Sequence, residues 1–174
     1  MDKNVTIVEM RIKFLRDLKG LTQTELAKKL NVTQALITGW ETGYANISLK
    51  MLVILCHFYQ IPVDYILGLT TNFNRDDYNF IYNLDLKYLG AKIRIIRKMV
   101  DLNQEEFAHK INTGRSNISY YESGKKAMSS ADLKDICNTF GFSADWCLGN
   151  TKTCIRREKK VKISEEEIRE YIEI

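Results

Sequence analysis

The chain is poor in residues that break helices and in residues that make cross-links. Its 174 residues include one proline and nine glycines, which argues against a loop-rich or all-β protein. Only two histidines occur, His57 and His109, and neither sits at a metal-ligand spacing from a cysteine. The four cysteines, Cys56, Cys137, Cys147 and Cys154, form no CxxC pair, so buried free thiols in a reducing compartment are expected rather than disulfides or zinc. No apolar run approaches the roughly 18 residues of a membrane span, and the opening MDKNVTIVEM lacks the basic-then-apolar layout of a secretion signal. A cytoplasmic location without a membrane partner is therefore expected. Neither charge sign dominates: 26 Lys and Arg stand against 22 Asp and Glu, a net charge of +4 with a pI near 8.8. That balance is compatible with a phosphate-backbone partner without requiring one. A nucleotide loop, an HExxH motif and a nucleophile elbow are also missing, so no catalytic residue, cofactor, metal or small-molecule ligand is expected.

What the chain does have is a repeat. Arg11 to Thr70 aligns without gaps on Lys92 to Thr151 at an offset of 81, with about 18 of the 60 pairs identical. One unit has been duplicated, and the function is that of the unit used twice. The expected domains are 1–70 and 85–151, joined by a linker at 71–84 and followed by a basic segment and amphipathic helix at 152–174.

Each unit reads as five short helices. Ile12, Leu15, Leu18 and Leu21 recur at helical spacing, and Gly20 stops the first helix. Thr22 and Glu25 form a capping box for the second, TQTELAKKL, and Asn103 with Glu106 does the same in the other unit. Thr33 is placed to cap a third helix ending at Gly43, Ser48 precedes a fourth, and Pro62 opens a short fifth. In the second unit Ser129 or Ser130 is placed to cap the fourth helix and Ser143 the fifth. The fold class is all-α, with second and third helices separated by the short turn of a helix-turn-helix.

The stretches TQTELAKKLNVTQALITGWETG and NQEEFAHKINTGRSNISYYESG resemble the helix-turn-helix of the phage-repressor and Cro-like family, and PVDYILG and SADWCLGN resemble its fifth helix. The resemblance implies two tandem five-helix λ-repressor-like domains that bind double-stranded DNA. It places the third helix in the major groove and the start of the second on the sugar-phosphate backbone. Gln23 and Gln104 then become backbone clamps, aided by the helix N-terminus; their plainer alternative is an exposed helix-start glutamine. Base reading falls to Gln34, Ala35 and Thr38 in the first unit, with Gly39 a turn further along, and to Arg115, Ser116, Ser119 and Tyr120 in the second. Glutamine suits adenine, the Ala and Thr methyls suit thymine, and Arg115 suits guanine, although a phosphate contact or a solvated side chain is the plainer role for Arg115. Lys125 and Lys126 are candidate phosphate partners, whereas their counterparts Tyr44 and Ala45 are not basic. The identical pairs Arg16–Glu41 and Arg97–Glu122 resemble a surface ion pair tying the first helix to the end of the third, and Trp40 and Tyr121 read as core.

The units thus agree at scaffold and backbone positions and differ at nearly every base-facing one, as two readers of different half-sites would. The linker is rich in Asn and Asp, and from about Asp77 its apolar residues suggest a helix running into the second unit. In the tail, Ser164 and Glu167 form a capping box, and Ile168, Tyr171 and Ile172 share one face. Homodimerisation through this helix or the linker is one expectation, and docking onto its own chain is another. The expected function is a sequence-specific transcriptional regulator, a repressor of prokaryotic or phage type. The alternative is a protein-interaction module of antitoxin or antirepressor type, and an architectural DNA binder is a third reading.

Overall fold

A computed structural model describes residues 6–71, 78–152 and 154 of the chain. The expected C-terminal helix lies outside the described residues. Among them are α1 (Ile7–Leu18), α2 (Gln23–Leu30), α3 (Gln34–Thr42), α4 (Leu49–Tyr59) and α5 (Val63–Ile66) in the first repeat. The second repeat forms α6 (Leu86–Met99), α7 (Gln104–Lys110), α8 (Arg115–Glu122), α9 (Ser130–Phe140) and α10 (Ala144–Leu148). The fold is all-α, two helix-turn-helix units in tandem.

Local chemistry sets the helix limits. Thr22 and Asn103 accept from the backbone N–H of Glu25 and Glu106, whose carboxylates reach back to complete both capping boxes. Ser48 caps α4 and Ser129 caps α9. Ser130 does something else: its hydroxyl donates across the repeats to the carbonyl of Ile47 at 2.8 Å. Pro62 stands just outside α5 as its N-cap rather than within the first turn. Left-handed backbone recurs in register, with Gly20 matched by Asp101, Asn31 by Asn112 and Gln60 by Gly141.

The core of each unit is the apolar face the periodicity marked. Ile12, Leu15, Leu26, Ile37 and Leu52 are buried in the first unit, and Ile93, Ile96, Phe107, Ile118 and Leu133 in the second. Trp40 and Tyr121 are core residues, 3% and 5% exposed. Cys56, Cys137 and Cys147 are buried free thiols. Burial, with the nearby carboxyls of Asp145 and Asp64, pushes the Cys56 thiol well up, which leaves it unreactive.

The described linker departs from expectation. Residues 78–85 are not helical; α6 starts at Leu86, where the Asp85 carboxylate accepts from the N–H groups of Lys87 and Tyr88. Upstream the chain is pinned by tertiary hydrogen bonds instead. Asn79 N–H donates to the Asn150 carbonyl at 2.7 Å, Ile81 N–H to the Asn150 side chain at 3.0 Å, and the Phe80 carbonyl meets His57 Nδ1 at 2.9 Å. These tertiary bonds take the backbone groups a helix would have used.

The two repeats meet about an internal pseudo-dyad. Ser48 and its repeat-equivalent Ser129 form an antiparallel bridge. Beside it α5 packs on α10, each N-terminus facing a carboxylate from the other helix. Asp145 accepts from the N–H groups of Val63 and Asp64 at 3.0 and 2.8 Å. Asp64 in return accepts from Ala144 N–H at 2.7 Å and from the Ser143 hydroxyl. Both aspartates are buried, 3% and 0% exposed, so each helix start obtains a carboxyl acceptor for its free N–H groups from its own duplicate.

Candidate nucleic-acid interface

The turn between α2 and α3 runs through left-handed Asn31 and extended Thr33, whose hydroxyl caps α3 by accepting from Leu36 N–H. α8 begins at Gly114, which offers no side-chain cap; Asn117 donates instead to the Thr113 hydroxyl at 3.1 Å. Ile37 and Ile118 anchor the two third helices in the core, which turns the opposite faces outward.

On α3, Gln34, Ala35 and Leu36 are exposed and Thr38 is half-buried. Gln34, Ala35, Thr38, Gly39, Thr42 and Tyr44 line one shallow depression. Gly39 is buried, and a Cβ added there would stand 2.8 Å from the Cβ of Ala45. It is therefore a packing position that lets the following loop close on the helix, not a reader. On α8, Arg115, Ser116, Ser119 and Tyr120 are all exposed. Tyr120, the counterpart of Gly39, stands 49% exposed. The structure thus brings the candidate readers of each repeat onto one helix face.

Gln23 and Gln104 are not free helix-start side chains. Each is half-buried and donates one amide proton to a glutamate, Gln23 to Glu41 at 2.9 Å and Gln104 to Glu122 at 3.0 Å. Arg16 grips that Glu41 through Nε at 2.6 Å and Nη2 at 2.9 Å, while Nη1 donates to the Leu21 carbonyl at 2.8 Å. Arg97 repeats the arrangement on Glu122 at 2.5 and 3.1 Å and on the Leu102 carbonyl at 2.9 Å. Both guanidinium pKa values are raised, first by the hydrogen bond to the glutamate. In the first repeat the chain of bonds continues, because the Thr38 hydroxyl donates to Gln23 Oε1 at 2.8 Å.

The Arg–Glu pairs are accordingly not surface pairs, which corrects the expectation from sequence. The Glu41 and Glu122 side chains are 2% and 6% exposed, and their arginines 10% and 14%. One buried network links the first helix, the start of the second and the end of the third, and fixes the glutamine amide relative to the reading helix.

Charge separates the two faces. The described α3 carries no Lys or Arg, whereas α8 starts with Arg115 and is followed by Lys125 and Lys126. Lys125 is exposed. Lys126 Nζ donates to Asn117 Oδ1 at 2.9 Å and lies 6.0 Å from the centre of the Tyr121 ring, so this candidate phosphate partner is laid back along α8. Asn117 and Leu36, repeat-equivalent and on the outer side of their helices, were not singled out from sequence. No group of metal-ligating residues and no helix long and apolar enough to cross a membrane occurs among the described residues.

The capping aspartates, Asp64 and Asp145, are not apparent from sequence as partners. Their sequence signal was an identical acidic pair inside short, otherwise apolar helices.

Comparison with known proteins agrees with this architecture. A helix-turn-helix family model matches residues 12–66, and a second, the helix-turn-helix domain, matches residues 90–151. Together they take in about two thirds of the chain. The chain is 40% identical over 60 residues to the Uncharacterized HTH-type transcriptional regulator YobD of Bacillus subtilis, covering 34% of this chain and 54% of that protein. It is 34% identical over 64 residues to Antitoxin PezA of Streptococcus pneumoniae, covering 37% and 40%. It is 29% identical over 70 residues to the HTH-type transcriptional regulator ImmR of Bacillus subtilis, covering 40% and 55%. The chain spans about half the length of the curated relatives it matches. With two matched domains, ten helices among the described residues in two corresponding sets and an outward third helix in each, the chain belongs to the Cro/C1-type helix-turn-helix family.

Proposed function

We propose that the protein is a transcriptional repressor that reads a two-part DNA site with a single chain, α3 at one half and α8 at the other. The observation that carries this reading is the reciprocal capping of α5 and α10 by Asp145 and Asp64. It fixes the two units about an internal dyad, as a dimer of single units would be fixed. One linked chain then gains the local-concentration advantage of a bivalent binder. A cytoplasmic location and the absence of a catalytic step go with this role.

Gln23 and Gln104 grip phosphate with the amide proton not committed to Glu41 or Glu122, and Lys125 adds charge beside α8. Gln34, Ala35 and Thr38 read the first half-site through amide and methyl contacts. Arg115, Ser116, Ser119 and Tyr120 read the second. Lys126 reaches phosphate on release from Asn117. Because α3 has no Lys or Arg, whereas α8 starts with Arg115 and is followed by Lys125 and Lys126, the second unit supplies more of the salt-dependent affinity.

Selection of bound duplex from a random pool tests the reading. It predicts a bipartite site whose halves differ in sequence, and a palindrome of identical halves contradicts it.

The uncharged α3 face, with Leu36 41% and Tyr44 83% exposed, favours one second reading, in which the first unit docks a protein. Similarity to a protein named as an antitoxin is compatible with that. A selected site only one half long would support it.

A further inference from the structure

The outer side of α6 has an apolar stripe that the DNA-reading role does not use. Tyr88, Ala91, Ile95 and Met99 are exposed at helical spacing, and Tyr88, Ile95 and Met99 are 42%, 43% and 59% exposed. All charged residues within α6 are basic: Lys87, Lys92, Arg94, Arg97 and Lys98. Arg97 is taken up by Glu122, and Lys92 lies 4.0 Å from the centre of the Trp146 ring. Helical geometry puts the exposed Lys87, Arg94 and Lys98 together along one edge of the stripe. The surface is thus apolar with a positive border, and its complement is an apolar face bordered by carboxylates.

The chain itself carries that complement. Residues 163–174, ISEEEIREYIEI, hold five glutamates against one arginine, with Ile168, Tyr171 and Ile172 spaced to share a face. The described chain ends at Cys154, whose carbonyl accepts from Ser143 N–H at 3.1 Å at the start of α10. α10 leans on α6, bringing the Tyr88 ring within 3.2 Å of where a Gly149 Cβ would stand. The connector 155–162 spans up to about 26 Å when extended, against about 21 Å for the whole of α6. The connector is thus longer than the helix whose face the segment would follow.

We propose that residues 163–174 dock along the outer face of α6 in their own chain, Ile168, Tyr171 and Ile172 covering Tyr88, Ile95 and Met99, and glutamates facing Lys87, Arg94 and Lys98. The repeat-equivalent stripe on α1, with Ile7, Met10, Phe14 and Leu18, is a poorer match. It is interleaved with Glu9 and Asp17 as well as Arg11, Lys13 and Arg16, so it lacks the one-signed border. The short tether also favours the segment's own chain over a second copy, since it holds the segment at an effective concentration in the millimolar range.

Methyl NMR on the full chain tests the proposal by comparing wild type with the I168D/I172D variant and with R94E/K98E. Both variants should shift the Ile95 and Met99 methyl signals in the same direction, toward an uncovered state. Met10 on α1 and core methyls such as Ile12 and Ile93 should stay in place, which also establishes that the variants fold. Unchanged Ile95 and Met99 signals in I168D/I172D would overturn the proposal. So would shifts that vanish on dilution of the wild type together with a fall from dimer to monomer mass, because the segment would then cover a second copy.

Discussion

Asp145 caps the helix that begins at Val63, and Asp64, one residue into that same helix, caps the helix that carries Asp145. Position 64 maps onto 145 under the repeat offset, so a single ancestral aspartate serves twice, each copy on the other's helix. Asn150 adds a further bond to Asp145 at 2.8 Å and holds the linker through Asn79 and Ile81. The join between repeats is thus polar and buried at its centre, with Ser48 and Ser129 exposed at its edge.

Replacing Asp145 with Ala leaves the N–H groups of Val63 and Asp64 buried without that acceptor, at about 1–3 kcal/mol for each unsatisfied group. Calorimetry should record one cooperative transition for the wild type and a lower, split transition for Asp145→Ala as the repeats uncouple. A single transition at the wild-type temperature would count against the lock.

The same carboxyl makes the join sensitive to pH. Burial first, and then the charge of Asp64, push the Asp145 pKa up to about 8, against the lowering effect of bonds from Asn150, Asp64 and Val63. An aspartate in the unfolded chain titrates near about 3.9. Between these values the folded state holds a proton the unfolded state has lost. The stabilisation is complete below the unfolded value and is lost as pH rises through the folded one. Denaturant midpoints should therefore fall from pH 5 to pH 8 and level off above it, and Asp145→Asn should flatten that slope. A wild-type midpoint that rises over this range is the contrary result.

The Arg16–Glu41 pair is buried and shared with Gln23. Arg16→Met strands the glutamate and should cost about 3–5 kcal/mol, as breaking a buried pair does. The double variant Arg16→Met/Glu41→Leu should recover much of it, a comparison that urea denaturation can make.

Gly90 puts the backbone of α6 directly on the end of α8, where an added Cβ would lie 2.2 Å from the Tyr121 carbonyl oxygen. Gly90→Ala must push the helices apart. A loss of about 1–3 kcal/mol is expected from overpacking, together with weaker DNA binding because α8 is displaced. The exposed control Ala91→Gly should cost no more than about 1 kcal/mol and leave DNA affinity unchanged.

On DNA, Gln23→Ala and Gln104→Ala should weaken binding evenly across sequences. Arg115→Ala should instead relax the preference at one base pair by about 1–3 kcal/mol. Binding titrations against a panel of single-base variants separate the two patterns.

What could be read from sequence was local or repeated. Thr22 with Glu25 and Asn103 with Glu106 declare their helices because capping needs only four consecutive residues. The reading faces followed from resemblance and the buried Ile37 and Ile118. The Arg16–Glu41 pair was legible as a contact, but its burial was not, because that depends on how α1, α2 and α3 close over it. The Asp64–Asp145 exchange was hidden for a similar reason: one repeat gives no sign of a partner 81 residues away. Residues 78–85 misled because Tyr78, Ile81 and Tyr82 have helical spacing, while Asn150 and His57 take up backbone groups of that stretch. Gly39, placed by sequence a turn along from the base-reading residues, is room for Ala45.

The most direct test of the internal-dimer account is the stoichiometry of the complex on a selected duplex, by native mass spectrometry or sedimentation. One chain per duplex with both half-sites protected is the predicted result. Two chains per duplex, each protecting one half-site, would contradict it.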